Sequence, residues 1–137
     1  MSCKSLIDVS TTTSTSVIAG GALPLATVTR RRGTDINVSG NSIAITDCGS
    51  NYYLVTVNAT FTAPVAGTIT LNLQQNGTNV VGATGSTTIT TATTEVRSIS
   101  FQKIIRSFNA IGFDSLTVVN AGLAATFSNI DVSVIKL

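Results

Sequence analysis

Six carboxylates, two thiols and a run of three arginines are the reactive side chains that this sequence of 137 residues offers, and it contains no histidine. Without an imidazole, the usual general base near neutral pH and the commonest transition-metal ligand are both missing, so triads that depend on one are excluded. The carboxylates are Asp8, Asp35, Asp47, Glu95, Asp114 and Asp131. Glycoside hydrolysis would need two of them held about 5–9.5 Å apart across a sugar cleft, and such clefts use exposed aromatic platforms. The chain has no tryptophan, and its two tyrosines, Tyr52 and Tyr53, sit together in a long alternating segment. Asp47, beside Cys48-Gly49, and Asp114, beside Ser115, read as turn caps. No catalytic centre is expected.

The remaining motifs are equally plain. Asp35, Asn37 and Asn41 lie near glycines but lack the spacing that would assemble six to eight oxygen ligands for calcium. Gly20-Gly21 and Gly82-Ala83-Thr84-Gly85-Ser86 read as turns; the Gly-Lys-Ser/Thr ending of a phosphate loop is absent and no helix follows. No cofactor, nucleotide or metal is therefore expected. Cys3 belongs to a terminal tail and Cys48 reads as a small, buried or half-buried side chain, because two cysteines do not define a disulfide framework.

Arg30, Arg31 and Arg32 are consecutive, whereas Lys4, Arg97, Lys103, Arg106 and Lys136 are scattered and the net charge is only +2. Nucleic-acid binders spread basic residues over a face and interleave aromatic stacking residues, so no nucleic-acid partner is expected. The three arginines are instead expected on a turn near a sheet edge, as a solvated or interface loop in which at least one pairs with a carboxylate of the same or a neighbouring subunit. Only 10 % of the residues are charged, against about 25 % in ordinary soluble domains. Thr, Ser and Asn must cover the surface. Such a surface suits either a wall facing a harsh exterior or a subunit whose faces are buried against copies of itself. The N-terminal residues show no continuous apolar run of a signal peptide. No stretch approaches the roughly 18 apolar residues of a spanning helix, so no membrane insertion is expected.

The elements that must carry these side chains show period-two patterning without helical periodicity. In Tyr52 to Phe61, the residues Tyr53, Val55, Val57, Ala59 and Phe61 share one face, and Tyr52, Leu54, Thr56, Asn58 and Thr60 share the other. Pro64 and Gly67 break the ladder. Thr68 to Gln74 follows with Ile69, Leu71 and Leu73 inward, and runs into Asn76-Gly77, a strong hairpin signal. Asn79-Val80-Val81 gives a short strand. Thr90 to Arg106 holds at least one long strand, with Ile104-Ile105 better placed in a strand than in a helix over Phe101 to Ile111. Asp114 to Val119 and Ala125 to Leu137 complete the series, and Leu25 to Thr29, Asp35 to Val38 and Ser42 to Thr46 give shorter strands. About eight to ten short-linked strands bury their apolar faces most simply as two packed sheets. Residues 1–16 form a polar segment, an attachment arm or a first strand, ahead of one domain at 17–137; the last strand, ending at Leu137, reads as well paired.

Several of these segments resemble a known family. Gly49 to Asn58 resembles the central strand of the jelly roll shared by tumour necrosis factor and the globular head of the first complement component, with one extra residue between Gly49 and Tyr52. Ile69 to Thr78 resembles that family's next strand and its Asn-Gly turn. Ala124 to Leu137 is similar to the last strand of bacterial and phage members, although Phe127-Ser128-Asn129 lacks the glycine common there, and Phe108 to Phe113 is apolar where a polar turn is typical. The resemblance implies an all-β, two-sheet antiparallel jelly-roll sandwich that assembles as a homotrimer and has no enzymatic activity. With neither an export signal nor a collagen-like Gly-x-y stalk in the sequence, the expected setting is a virion: a structural protein, either capsid-decorating or a head fibre on the capsid surface, joined to the major capsid protein or another virion protein through its N-terminal region. The alternative is an adhesion or receptor-binding head on a bacterial cell or spore surface, whose partner is a host-surface glycan or protein. The expected subunit interface draws on Tyr52, Leu54 and Thr56, with Arg30, Arg31 and Arg32.

Overall fold

The computed structural model describes residues 4–46, 51–107 and 114–137, and every regular element in it is a strand. The eleven are β1 (Leu6–Thr11), β2 (Thr15–Val17), β3 (Thr27–Arg32), β4 (Ile36–Ser39), β5 (Ser42–Ile45), β6 (Asn51–Thr62), β7 (Gly67–Gln75), β8 (Thr78–Ile89), β9 (Arg97–Ser107), β10 (Asp114–Asn120) and β11 (Ala125–Lys136). Cys3, Asp47, Cys48 and the apolar stretch Phe108 to Phe113 lie outside the described residues, and with them the expectations placed there.

Alternation decides which face each strand buries. Tyr53, Val55, Val57, Ala59 and Phe61 of β6 are all buried, as are Ile69, Leu71 and Leu73 of β7, while the residues between them are at least partly exposed. One face of each of these strands is thus apolar, and two sheets cover each other. The first has the order β3-β1-β11-β6-β9, with β2 also pairing β11; the second has the order β4-β5-β10-β7-β8. Every pairing is antiparallel. Non-sequential neighbours such as β1-β11-β6 and β5-β10-β7 make this a jelly roll rather than a meander. Between the sheets, Phe61 and Phe127 meet with ring centroids 5.3 Å apart and planes tilted by 52°, a favourable edge-biased arrangement.

The Asn76-Gly77 hairpin forms as its sequence dictates: both residues take positive φ, 54° and 82°, and Gln75 pairs with Thr78. Its position is then fixed from outside the turn, because Asn76 Nδ2 donates to Asp114 Oδ1 (2.7 Å) and Asn76 Oδ1 accepts from the Ser115 amide (2.9 Å).

Two elements, β3 and β8, differ from the sequence expectation. Leu25 to Thr29 was expected as a strand, but β3 begins at Thr27, because the Thr11 hydroxyl donates to the Pro24 carbonyl (2.8 Å) and accepts from the Ala26 amide (3.0 Å), holding that stretch out of the ladder. Consequently Arg30, Arg31 and Arg32 lie in an edge strand, not on a turn. The glycine-bearing run Gly82 to Ser86, expected as a turn, is the middle of β8. There Gly82 at φ 83° lies next to the register shift opposite Asn72 and Gln74, and the strand continues to pair β7 as far as Ile89. Its small residues serve packing: a Cβ on Gly85 would lie 2.5 Å from Ile99 Cγ2 of β9. β8 and β9 therefore close one side of the sandwich.

Candidate functional site: the outer face of the first sheet

The carboxylates come first, since any reaction would need them. Glu95 Oε1 accepts from the Thr90 and Thr91 amides (3.1 and 3.0 Å) and from Thr90 Oγ1 (2.7 Å), and Oε2 bonds Arg97 Nε at 2.6 Å. The Arg97 bond leads in lowering its carboxyl to about 2, followed by the Thr90 hydroxyl. Asp114 accepts from Ser107 Oγ (2.5 Å) as well as from Asn76, and Asp35 accepts from Ser5 Oγ (2.9 Å). These three tie turns and strand ends together. Asn37, one of the oxygens weighed for calcium, is occupied by Arg31, which donates to its Oδ1, while its Nδ2 donates to the Thr34 carbonyl (2.9 Å). A cation would meet a guanidinium there. Among the described residues no group of three or more Cys, Asp and Glu side chains is placed to hold a metal.

Asp8 and Asp131 are the carboxylates brought close to each other. Asp8 Oδ2 accepts from Thr29 Oγ1 (2.5 Å), and Asp131 Oδ1 from Ser10 Oγ (2.6 Å). Burial pushes the Asp131 carboxyl above its ordinary value, the Ser10 bond opposes the rise, and hydrogen bonding and charge from Asp8 add to it. A second carboxylate close by disfavours ionisation. Both aspartates sit on the outer face of the first sheet, where register groups residues far apart in sequence.

That face is read row by row across the strands. One row runs Arg32 (β3), Leu6 (β1), Ile135 (β11), Leu54 (β6) and Ile104 (β9). The next towards the chain ends includes Tyr52 paired with Arg106, and the Leu137 amide donates to the Tyr52 carbonyl (3.0 Å). In the opposite direction the rows turn polar: Arg30, Asp8, Ser133, Thr56 and Gln102, then Ser10, Asp131, Asn58 and Ser100. Cross-strand bonds hold this polar part, with Ser100 Oγ donating to Asn58 Oδ1 (2.6 Å) and Thr60 and Ser98 hydroxyls 3.1 Å apart. The apolar end is open: Ile104 is 56 % exposed, Tyr52 54 %, Leu137 51 % and Ile135 39 %.

Of the residues singled out from sequence, Tyr52, Leu54 and Thr56 share this face, the first two in the apolar rows and Thr56 in the polar one. Arg30 and Arg32 border it from β3, but Arg31 alternates to the other side, as its register with the buried Ile7 requires. No carboxylate among the described residues of the same chain pairs with any of the three; Arg97–Glu95 is the one ion pair found there. Sequence reasoning did not single out Ile104, Ile135, Leu6 or Leu137 as surface residues. The signal was present in Ile104 and Ile135, apolar residues at outward positions of otherwise polar alternation.

No protein-family model and no curated protein sequence matches the chain. Solved structures do. Murine APRIL at pH 8.5 superposes with a TM-score of 0.77 at 16 % identity, over 98 % of this chain and 100 % of APRIL's. The Eiger TNF of S. frugiperda gives 0.72 at 14 % identity, over 98 % and 91 %. The PRD1 vertex protein P5 gives 0.63 at 16 % identity, over 100 % and 99 %. The all-β, two-sheet antiparallel jelly roll of this chain is thus the tumour-necrosis-factor-like sandwich.

Proposed function

We propose that this chain is the protomer of a non-enzymatic homotrimeric head that works by binding a partner at a surface, a host-surface glycan or protein on the adhesion reading. One observation carries the reading: the outer face of the first sheet ends in an open apolar cluster of Leu6, Tyr52, Leu54, Ile104, Ile135 and Leu137. A contiguous patch of this kind on a chain with so few charges marks a contact surface, which this reading gives to the seam between protomers of the trimer. The five described carboxylates are engaged by hydroxyls, amides or an arginine, which leaves recognition rather than reaction as the work of the assembled head. Likeness in fold to APRIL and to Eiger TNF, over nearly the whole of each chain, supports the binding role.

A second reading has its own support. The PRD1 vertex protein P5 shares the fold over the full length of this chain, which favours a virion protein, a capsid-decorating protein or head fibre attached through its N-terminal region to the capsid. Both readings need the trimer. Light scattering should give three times the 14.1 kDa protomer mass at micromolar concentration, and a monomer would overturn both. Electron microscopy of the producing cell and its particles separates them: capsid-surface density supports the virion reading, and cell- or spore-surface density the adhesion reading.

A further inference from the structure

We infer that β3 is a docking edge for an extended acidic segment of another protein, added to the first sheet as a further strand. Among the described residues β3 pairs with β1 on one side only, and all six of its residues are exposed. The main-chain groups directed to its other side have no strand partner among those residues, which is the template for strand addition. Among the described residues the Arg30 and Arg31 guanidinium groups on this edge bond neutral acceptors alone. Arg30 Nη1 donates to the Thr29 carbonyl (2.7 Å), and Arg31 to the Gly33 carbonyl (3.3 Å) and to Asn37.

Alternation selects the shape of the ligand. Arg30 and Arg32 register with Asp8 and Leu6 on the outer face, whereas Arg31 registers with Ile7 on the inner one. A polysaccharide or other linear polyanion lying across one face meets only part of this charge. An added strand lies in the plane of the sheet and sends successive side chains to both faces. Three consecutive acidic residues in such a strand therefore oppose all three arginines as cross-strand pairs, the favourable arrangement of opposite charges. Residues 18–46 contain no aromatic side chain, so the edge lacks the stacking platforms that single-stranded nucleic acid uses. Peptide binding at β3 and the mass of the assembly are separate measurements, so either reading can fail without the other.

The test titrates the intact protein with a fluorescent peptide of three consecutive glutamates flanked by Thr and Val. Its companions are the same peptide N-methylated at alternate amides, a sulfated polysaccharide and a single-stranded oligonucleotide. The unmodified peptide should bind, slow hydrogen exchange of the Thr27–Arg32 amides, and weaken about tenfold or more on N-methylation, which keeps its charge but removes its backbone donors. The R30A/R31A/R32A variant, its fold checked by thermal melting, should lose the binding. Equal affinity of the N-methylated peptide would overturn the inference, and so would no peptide binding to the unaltered protein. Polysaccharide or oligonucleotide binding that outcompetes the peptide without protecting those amides would overturn it as well.

Discussion

Replacing Ile104 with Asp separates the stability of the protomer from that of the assembly. Full burial of an isoleucine side chain contributes about 1.5–3 kcal/mol. In the protomer Ile104 is 56 % exposed, so about 1–1.5 kcal/mol of that burial is left to be gained on assembly. Threefold symmetry repeats the site, giving roughly 3–5 kcal/mol per trimer, or two to three and a half orders of magnitude in its dissociation constant. The figure takes Ile104 as fully buried on assembly, and the aspartate would add to it the cost of an unpaired charge in the contact. The protomer itself should change by only about 1 kcal/mol or less, the scale of an exposed strand substitution. Sedimentation or light scattering across a dilution series reads the first quantity, and chemical denaturation at low concentration reads the second. Ile18→Asp is the control: Ile18 is 72 % exposed but lies outside the strands of this face, and its variant should assemble like the parent. An I104D protein that stays trimeric on the same dilution curve would refute the assignment of this face, as would an Ile18→Asp protein that dissociates equally.

Removing residues 1–16 takes away β1, with the fully buried Ile7 and Val9 and its pairings to β3 and β11; circular dichroism should show loss of cooperative folding, and a folded truncation would mean that β1 is dispensable. Asp131→Asn should raise the melting temperature at neutral pH. The folded carboxyl binds its proton more tightly than the ordinary value of 3.8, so its contribution falls as pH rises through the interval above that value, and the advantage of Asn should vanish in more acidic buffer. Gly85→Ala should destabilise by about 1–3 kcal/mol, since the new Cβ would lie 2.5 Å from Ile99 Cγ2; urea denaturation with an unchanged midpoint would show that β9 yields at no cost.

Much of the sandwich is legible in the sequence because burial within a strand depends on one local variable. Tyr53 to Phe61 and Ile69 to Leu73 announce their inward face by period two alone, and Asn76-Gly77 announces its turn by the positive φ that both residues tolerate. β3 and β8 were harder to read, and for a shared reason. Their boundaries are set by long-range partners: the Thr11 hydroxyl takes the backbone of residues 24 and 26, while β7 and Ile99 hold Gly82 to Ser86 extended. A glycine that makes room for a neighbour looks the same in sequence as one that turns the chain.

The outer face was less legible still, because its composition depends on strand order rather than on any one strand. Asp8 and Asp131 become neighbours only because β11 pairs with β1. The same order sets Leu6, Ile135, Leu54 and Ile104 in one row from four separate strands. Within each strand the outward apolar residue is an isolated exception of the sort any soluble protein carries. Aligned by register, the exceptions fall at one end of the sheet, while Asn58, Thr60, Ser98 and Ser100 satisfy one another at the other. That segregation bears on what the face can do. Hydroxyl and amide rows that already hydrogen-bond across the strands gain little from a partner, whereas an open apolar row gains from every ångström squared removed from water. Contact at this face is therefore driven from the end that holds Tyr52 and Leu137, and the carboxyl pair marks where the polar rows begin.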